Sequence, residues 1–193
     1  MYLTIGNKPR FYIIIIIVLL FNCYPVRINK KTITFKNDCI TGEEYRLYKM
    51  INDYRTRLGL NKIPLSKSLS YVARVHVRDL ADNLGYLTHG WSSCKYDGGN
   101  SSTYPCMWKK PKELTGYSGY GFECAHGGSG GYVASATSAL RSWQGSAPHN
   151  AVITNKGIWK SSKWKALGVG IYRGYSAIWF GTVKDRHKAR VCN

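Results

Sequence analysis

Three side chains in this sequence have the types to share one piece of chemistry: His76, Glu123 and His149. Imidazoles and a carboxylate at one site can move protons, bind a hydrogen-bonding ligand, or hold a divalent ion such as zinc. His149 belongs to the stretch Trp-Gln-Gly-Ser-Ala-Pro-His-Asn that runs from Trp143 to Asn150. A small-residue helical run, Tyr132 to Trp143, precedes it, and Gly145 and Pro148 break that run, so His149 is expected on a loop at a helix end. His76 falls on the apolar stripe Leu69, Val72, Ala73, Val77 and Leu80 of an earlier helix. A lone histidine on such a stripe reads, by itself, as a satisfied core residue. Glu123 sits in a short strand predicted within Gly119 to Ala125. The next residue, Cys124, would face the other way. Ser146 shares the His149 loop, but no nearby acidic residue would orient the imidazole, which argues against a Ser-His-Asp triad. His89 and His126 read as loop residues, and His187 as part of a basic tail.

The elements that must position these groups follow from periodicity. Thr41 with Glu44 three residues on is a capping-box start, and Leu47, Ile51, Tyr54 and Leu58 give the first helix one apolar face before Gly59 ends it. The second helix is expected from Ser66 or Ser68 to about Asn83. Between Gly85 and Gly131 the periodicity disappears, and a segment of that length carries function or short elements of its own. Its glycines are turns: no Gly-Lys-Ser/Thr follows them, and their spacing fits no dinucleotide fingerprint. Leu167, Val169 and Ile171 then alternate with small residues, and Tyr175 to Gly181 answers across Arg173-Gly174 as an antiparallel hairpin. Helices first and strands late make the class α+β.

Charge and cysteines bound the partners and the compartment. Lys and Arg number 28 against 10 Asp and Glu, a net charge of +18. That favours anionic surfaces. Lys8 and Arg10 precede an apolar run, Phe11 to Phe21, of about 11 residues, where a bilayer crossing takes about 20. Residues 1–22 therefore read as an export signal. Leu20-Phe21-Asn22-Cys23 is similar to a bacterial lipobox in which Cys23 would be acylated, with Asn22 standing where a smaller residue is usual. Residues 23–40 read as a linker, 41–184 as the domain, and 185–193 as a basic C-terminal tail. Six cysteines suit an oxidising compartment. Cys94 and Cys106 bracket a turn-rich loop and are the natural local pair. Cys39 and Cys192 flank the domain and could staple it, leaving Cys124 as a buried thiol, although spacing alone leaves other pairings open. Export argues against nucleic acid as the partner.

In order along the chain come Ile51-Asn52-Asp53-Tyr54-Arg55 with Gly59 and Pro64-Leu65, then Leu69, Ala73 and His76, then Gly121-Phe122-Glu123. Ser142-Trp143 with Ser146-Ala147-Pro148-His149 follows, and last Leu167-Gly168-Val169-Gly170-Ile171 with Ala177 to Gly181. In this order and spacing the pieces resemble the CAP superfamily, also called the SCP or pathogenesis-related-1 family, over about residues 43–182. The loop from Trp91 to Leu114 is similar to a secreted Bacteroidetes-type branch. The resemblance implies a three-layer α-β-α sandwich with a central antiparallel sheet. It also implies a cleft that in many members binds zinc or another divalent ion through two His and two Glu. Carried across, these ligands are His76, Glu123 and His149, while the second Glu falls on Ser146; Trp143, Ser146 and Asn150 would line the cleft. The implied function is a secreted or envelope-anchored binding protein, not an enzyme, that holds a lipid, glycan or protein ligand. The alternative is a divalent-metal-dependent hydrolase using the same cleft.

Overall fold

The computed structural model describes residues 34–192, so the expected export signal and Cys23 lie outside the described residues. Helix α1, Gly42–Arg57, starts as its capping box requires: the Thr41 hydroxyl accepts from the Glu44 amide at 3.2 Å, and the Glu44 carboxylate accepts from the Thr41 amide at 2.7 Å. Helix α2, Lys67–Asp79, is capped by Ser66 and widens into a π-helical turn, Leu80–Leu84, before Gly85 stops it in a left-handed conformation. Short helices α3, Pro105–Trp108, and α4, Lys110–Thr115, occupy the stretch without periodicity, and strand β1, Phe122–Gly127, closes it. Helices α5, Ala136–Gly145, and α6, Ala147–Ile153, lead to β2, Ala166–Tyr172, and β3, Tyr175–Gly181.

The three strands form one antiparallel sheet in the order β1-β3-β2, with Glu123 opposite Trp179 and Val169 opposite Ile178. Alternation along the strands divides the interior into two cores. Leu167, Val169, Ile178 and Phe180 join Leu47, Ile51, Leu140 and Trp143 of α1 and α5 on one face. Ala166, Tyr175, Ala177 and Trp179 join Leu69, Val72, Ala73 and Val77 of α2 on the other. The result is the expected α-β-α sandwich. Small residues make its closest seam. A Cβ on Gly168 would stand 2.1 Å from the Leu69 carbonyl carbon, and one on Gly170 would stand 2.6 Å from that of Ala73. The backbone of α2 thus rests directly on β2, and the Gly-x-Gly alternation is the physical condition for that contact.

Both ends of the domain depart from the expected boundaries. Asp38 pairs with Arg74 of α2 at 3.3 Å, and Ile40 bridges to Val191. Residues 38–40 therefore belong to the fold and not to a linker. At the other end Asp185 reaches the start of α2, accepting from the Ser66 hydroxyl at 2.6 Å, the Ser68 amide at 2.7 Å and the Ser68 hydroxyl at 2.9 Å. These bonds hold its carboxyl below the usual range against the upward push of burial. What composition marks as a tail is a packed strap. A disulfide joins Cys39 to Cys192, a second joins Cys94 to Cys106, and Cys124 is a buried free thiol. Among the described residues no helix is long and apolar enough to cross a membrane.

Candidate functional site

The site grows from one buried ion pair. Glu123 points from β1 toward α2, where His76 Nδ1 lies 2.5 Å from Oε1. The other ring nitrogen of His76, Nε2, lies 2.9 Å from the Gly90 carbonyl oxygen, which can only accept, so Nε2 carries a proton. A short contact between Nδ1 and a carboxylate requires a second proton, so His76 is the imidazolium partner of an ionised Glu123. Its protonation balance agrees: burial pushes His76 down, but the charge and hydrogen bond of Glu123 and the Gly90 carbonyl raise it above its ordinary value. Burial likewise pushes Glu123 up, yet the charge and hydrogen bond of His76 and the hydrogen bond from His89 hold it at about 2. Neither side chain of the pair is exposed. Trp91 stacks on the His76 ring at 4.3 Å and 25°, completing a cation–π enclosure.

The second carboxylate oxygen reaches a residue that sequence reasoning leaves in a loop. His89 Nδ1 lies 2.8 Å from Glu123 Oε2 and donates to it. No periodic pattern marks His89, which follows the π-helical turn and its glycine stop. It enters the site because the chain reverses at Gly85 and returns along α2, a consequence of tertiary path that local spacing does not carry.

His149 comes from the layer on the other side of the sheet. Instead of standing on a loop, it occupies the first turn of α6, which Pro148 helps start. Its Nδ1 lies 2.7 Å from the Ser146 hydroxyl. Burial and the neighbouring charges of His89 and His126 hold His149 below its ordinary value, against the pull of Glu123. Of the other expected lining residues, Trp143 is fully buried and donates its indole N–H to the Ala125 carbonyl at 3.0 Å. Asn150 accepts from the Tyr54 hydroxyl at 3.0 Å through its side-chain oxygen. Trp143 therefore supports the wall from within, and Asn150 ties it to α1. Cys124 packs in the opposite core, as strand alternation requires, and burial raises its thiol well above the usual value. His126 bonds the Tyr132 hydroxyl through Nε2 at 2.9 Å.

As a donor set for an ion these residues fit poorly. Both nitrogens of His76 are engaged, leaving it no lone pair in this arrangement, and each oxygen of Glu123 already accepts one hydrogen bond from an imidazole. Among the described residues no three His, Cys, Asp or Glu side chains are placed to hold a metal.

The comparison with family models decides the family. Residues 48–177 match the model of CAP, the cysteine-rich secretory protein family. The chain belongs to that family. The CAP domain here is similar in fold to an extracellular protein containing an SCP domain from Bacillus anthracis, with 21% identity and a TM-score of 0.55 over 72% of this chain. It spans only 40% of that protein's length. It is also similar to an outer surface protein from Borrelia burgdorferi, with 17% identity and a TM-score of 0.52 over 72% of this chain and 91% of that one. No curated protein matches the chain.

Proposed function

We propose that this CAP domain is an extracellular binding protein whose histidine cleft holds a lipid, glycan or protein ligand without transforming it. The observation that carries this reading is Glu123. Its two oxygens are held by His76 and His89 at 2.5 and 2.8 Å, and its side chain is fully buried. A carboxylate so held is poorly placed to take a proton from water or substrate. What the site offers instead is imidazole hydrogen bonding from the partly exposed His89 and His149. Export is supported by the N-terminal charges and apolar run, by the two disulfides, and by the extracellular and outer-surface descriptions of the two similar structures. Acylation at Cys23 would make the protein envelope-anchored, and its net charge would hold it near anionic surfaces.

The test pairs binding with turnover. Side-chain NMR of histidine, titrated with phosphatidylglycerol vesicles and with soluble oligosaccharides, should show His89 and His149 shifting together as a ligand docks. Ester and peptide substrates should stay intact, with or without added zinc. Elemental analysis before and after chelation should find no retained stoichiometric ion. Hydrolysis that requires zinc and is lost in His149→Ala would overturn the non-catalytic reading.

A further inference from the structure

We infer that Asn100 is a modification site that carries an N-linked glycan. Asn100-Ser101-Ser102 is the one place in the sequence where an asparagine is followed, two residues on, by serine or threonine. That spacing, with a residue other than proline between, marks an acceptor asparagine in an exported chain. The triplet by itself decides little. Its asparagine also has to be reachable, and the amide nitrogen has to be free of the fold.

The loop meets both conditions. Asn100, Ser101 and Ser102 are all exposed, with Asn100 in extended backbone just ahead of a single 3-10 turn, Ser101–Thr103. Asn100 Oδ1 accepts from the Ser102 amide at 3.1 Å and from the Ser102 hydroxyl at 2.7 Å. Both bonds go to the oxygen, which leaves Nδ2 without a partner among the described residues. The hydroxyl that the triplet requires is thus already held against the carboxamide that would be modified. The surrounding loop is fixed: the Cys94–Cys106 disulfide closes its base, the Asp97 amide donates to the Thr103 hydroxyl at 2.9 Å, and the Tyr104 hydroxyl donates to the Gly98 carbonyl at 2.6 Å. A glycan on Nδ2 leaves Oδ1 free to keep both of its bonds and displaces nothing buried.

The step is a displacement in which this protein is the substrate. Nδ2 attacks the anomeric carbon of a polyprenyl-diphosphate-linked oligosaccharide. The C–N bond forms as the C–O bond to diphosphate breaks, the diphosphate leaves with the electron pair, and Nδ2 gives up one proton. An oligosaccharyltransferase on the export route supplies the donor and the catalysis. The inference rests on the export reading and is independent of what the histidine cleft binds.

The test is mass-spectrometric peptide mapping of the full chain secreted from a cell that has an oligosaccharyltransferase, before and after peptide N-glycosidase. The glycosidase should remove the added mass and leave aspartate at position 100. Asn100→Gln and Ser102→Ala should each abolish the addition, and Ser102→Thr should keep it. Thermal unfolding of the first two variants should stay close to that of the deglycosylated parent, which separates loss of the acceptor from loss of the fold. Secreted protein with an unmodified Asn100 would overturn the site alone. Retention of the chain inside the cell would overturn the export reading and the glycan with it. Added mass that resists the glycosidase or survives Asn100→Gln would put the sugar on a hydroxyl and equally overturn the assignment.

Discussion

Replacing Glu123 by Gln should reverse the sign with which this domain's stability responds to pH near neutrality. In the parent, the folded value of His76 is raised, so the native state holds its proton more tightly than the unfolded chain does. That contribution is fully present below about pH 6.5 and is lost as pH rises through the folded value. Glutamine can keep both contacts, its amide donating to His76 Nδ1 and its oxygen accepting from His89. It cannot neutralise a charged imidazole. His76 then stays neutral in the core, its folded value falls, and stability drops as pH falls below about 6.5 by up to about 1.4 kcal/mol per unit. At pH 7 the cost is about 2 kcal/mol, since two charge-assisted bonds become neutral ones at about 1 kcal/mol each. The acid limb should change too. Glu123 is held at about 2 against an ordinary 4.5, so it contributes on the order of 3 kcal/mol, present above about pH 4.5 and lost as pH falls toward 2. Urea unfolding of both proteins from pH 2.5 to 8 gives the difference curve, in which other titrating groups cancel. A difference that is flat between pH 5 and 8, or that shrinks as pH falls through 6.5, would refute the imidazolium–carboxylate assignment.

Gly168→Ala should destabilise by about 2 kcal/mol or more, because the new methyl meets backbone and not a movable side chain; Gly42→Ala, with open space around it, should be neutral by the same thermal melt. Arg55→Ala should cost about 3 kcal/mol in urea unfolding, since this buried guanidinium donates to the Ile153 carbonyl at 2.5 Å, to Asn155 at 2.7 Å and to the Asn61 carbonyl at 3.1 Å. Lysine, lacking the fork, should not rescue it. Removing the Cys94–Cys106 bond as a double Ala variant should lower stability by roughly 3 kcal/mol for its short loop, with far-ultraviolet circular dichroism unchanged.

Local chemistry was readable wherever cause and effect lie within a few residues. Thr41 with Glu44 announces α1, and Leu167 to Ile171 announces a strand whose glycine face admits a helix. Strand alternation sends Cys124 away from Glu123. The residues that escaped a local reading act over distance. His89 meets Glu123 only because the chain folds back at Gly85, and Asp185 finishes the start of α2 from 117 positions away. Helix α5 begins at Ala136 and not at Tyr132, since Ser135 supplies a capping bond to Ser138 that composition alone does not weigh. His149 lies in a helix because Pro148, read as a breaker, suits a first turn. Lone histidines on apolar stripes are ordinary core residues, and His76 is one, satisfied at both nitrogens.

The Cys39–Cys192 bond has a mechanical meaning. It links positions 153 apart, next to the last residue of the chain. Tension applied between the N-terminal segment and the C-terminus crosses one covalent bond and bypasses every helix and strand between them. A cell-surface protein pulled from both ends would be loaded at this knot alone, and its two cores would keep their packing up to the force that breaks sulfur from sulfur. Only a hold taken elsewhere, through a ligand bound between the two ends, would put the fold itself under load.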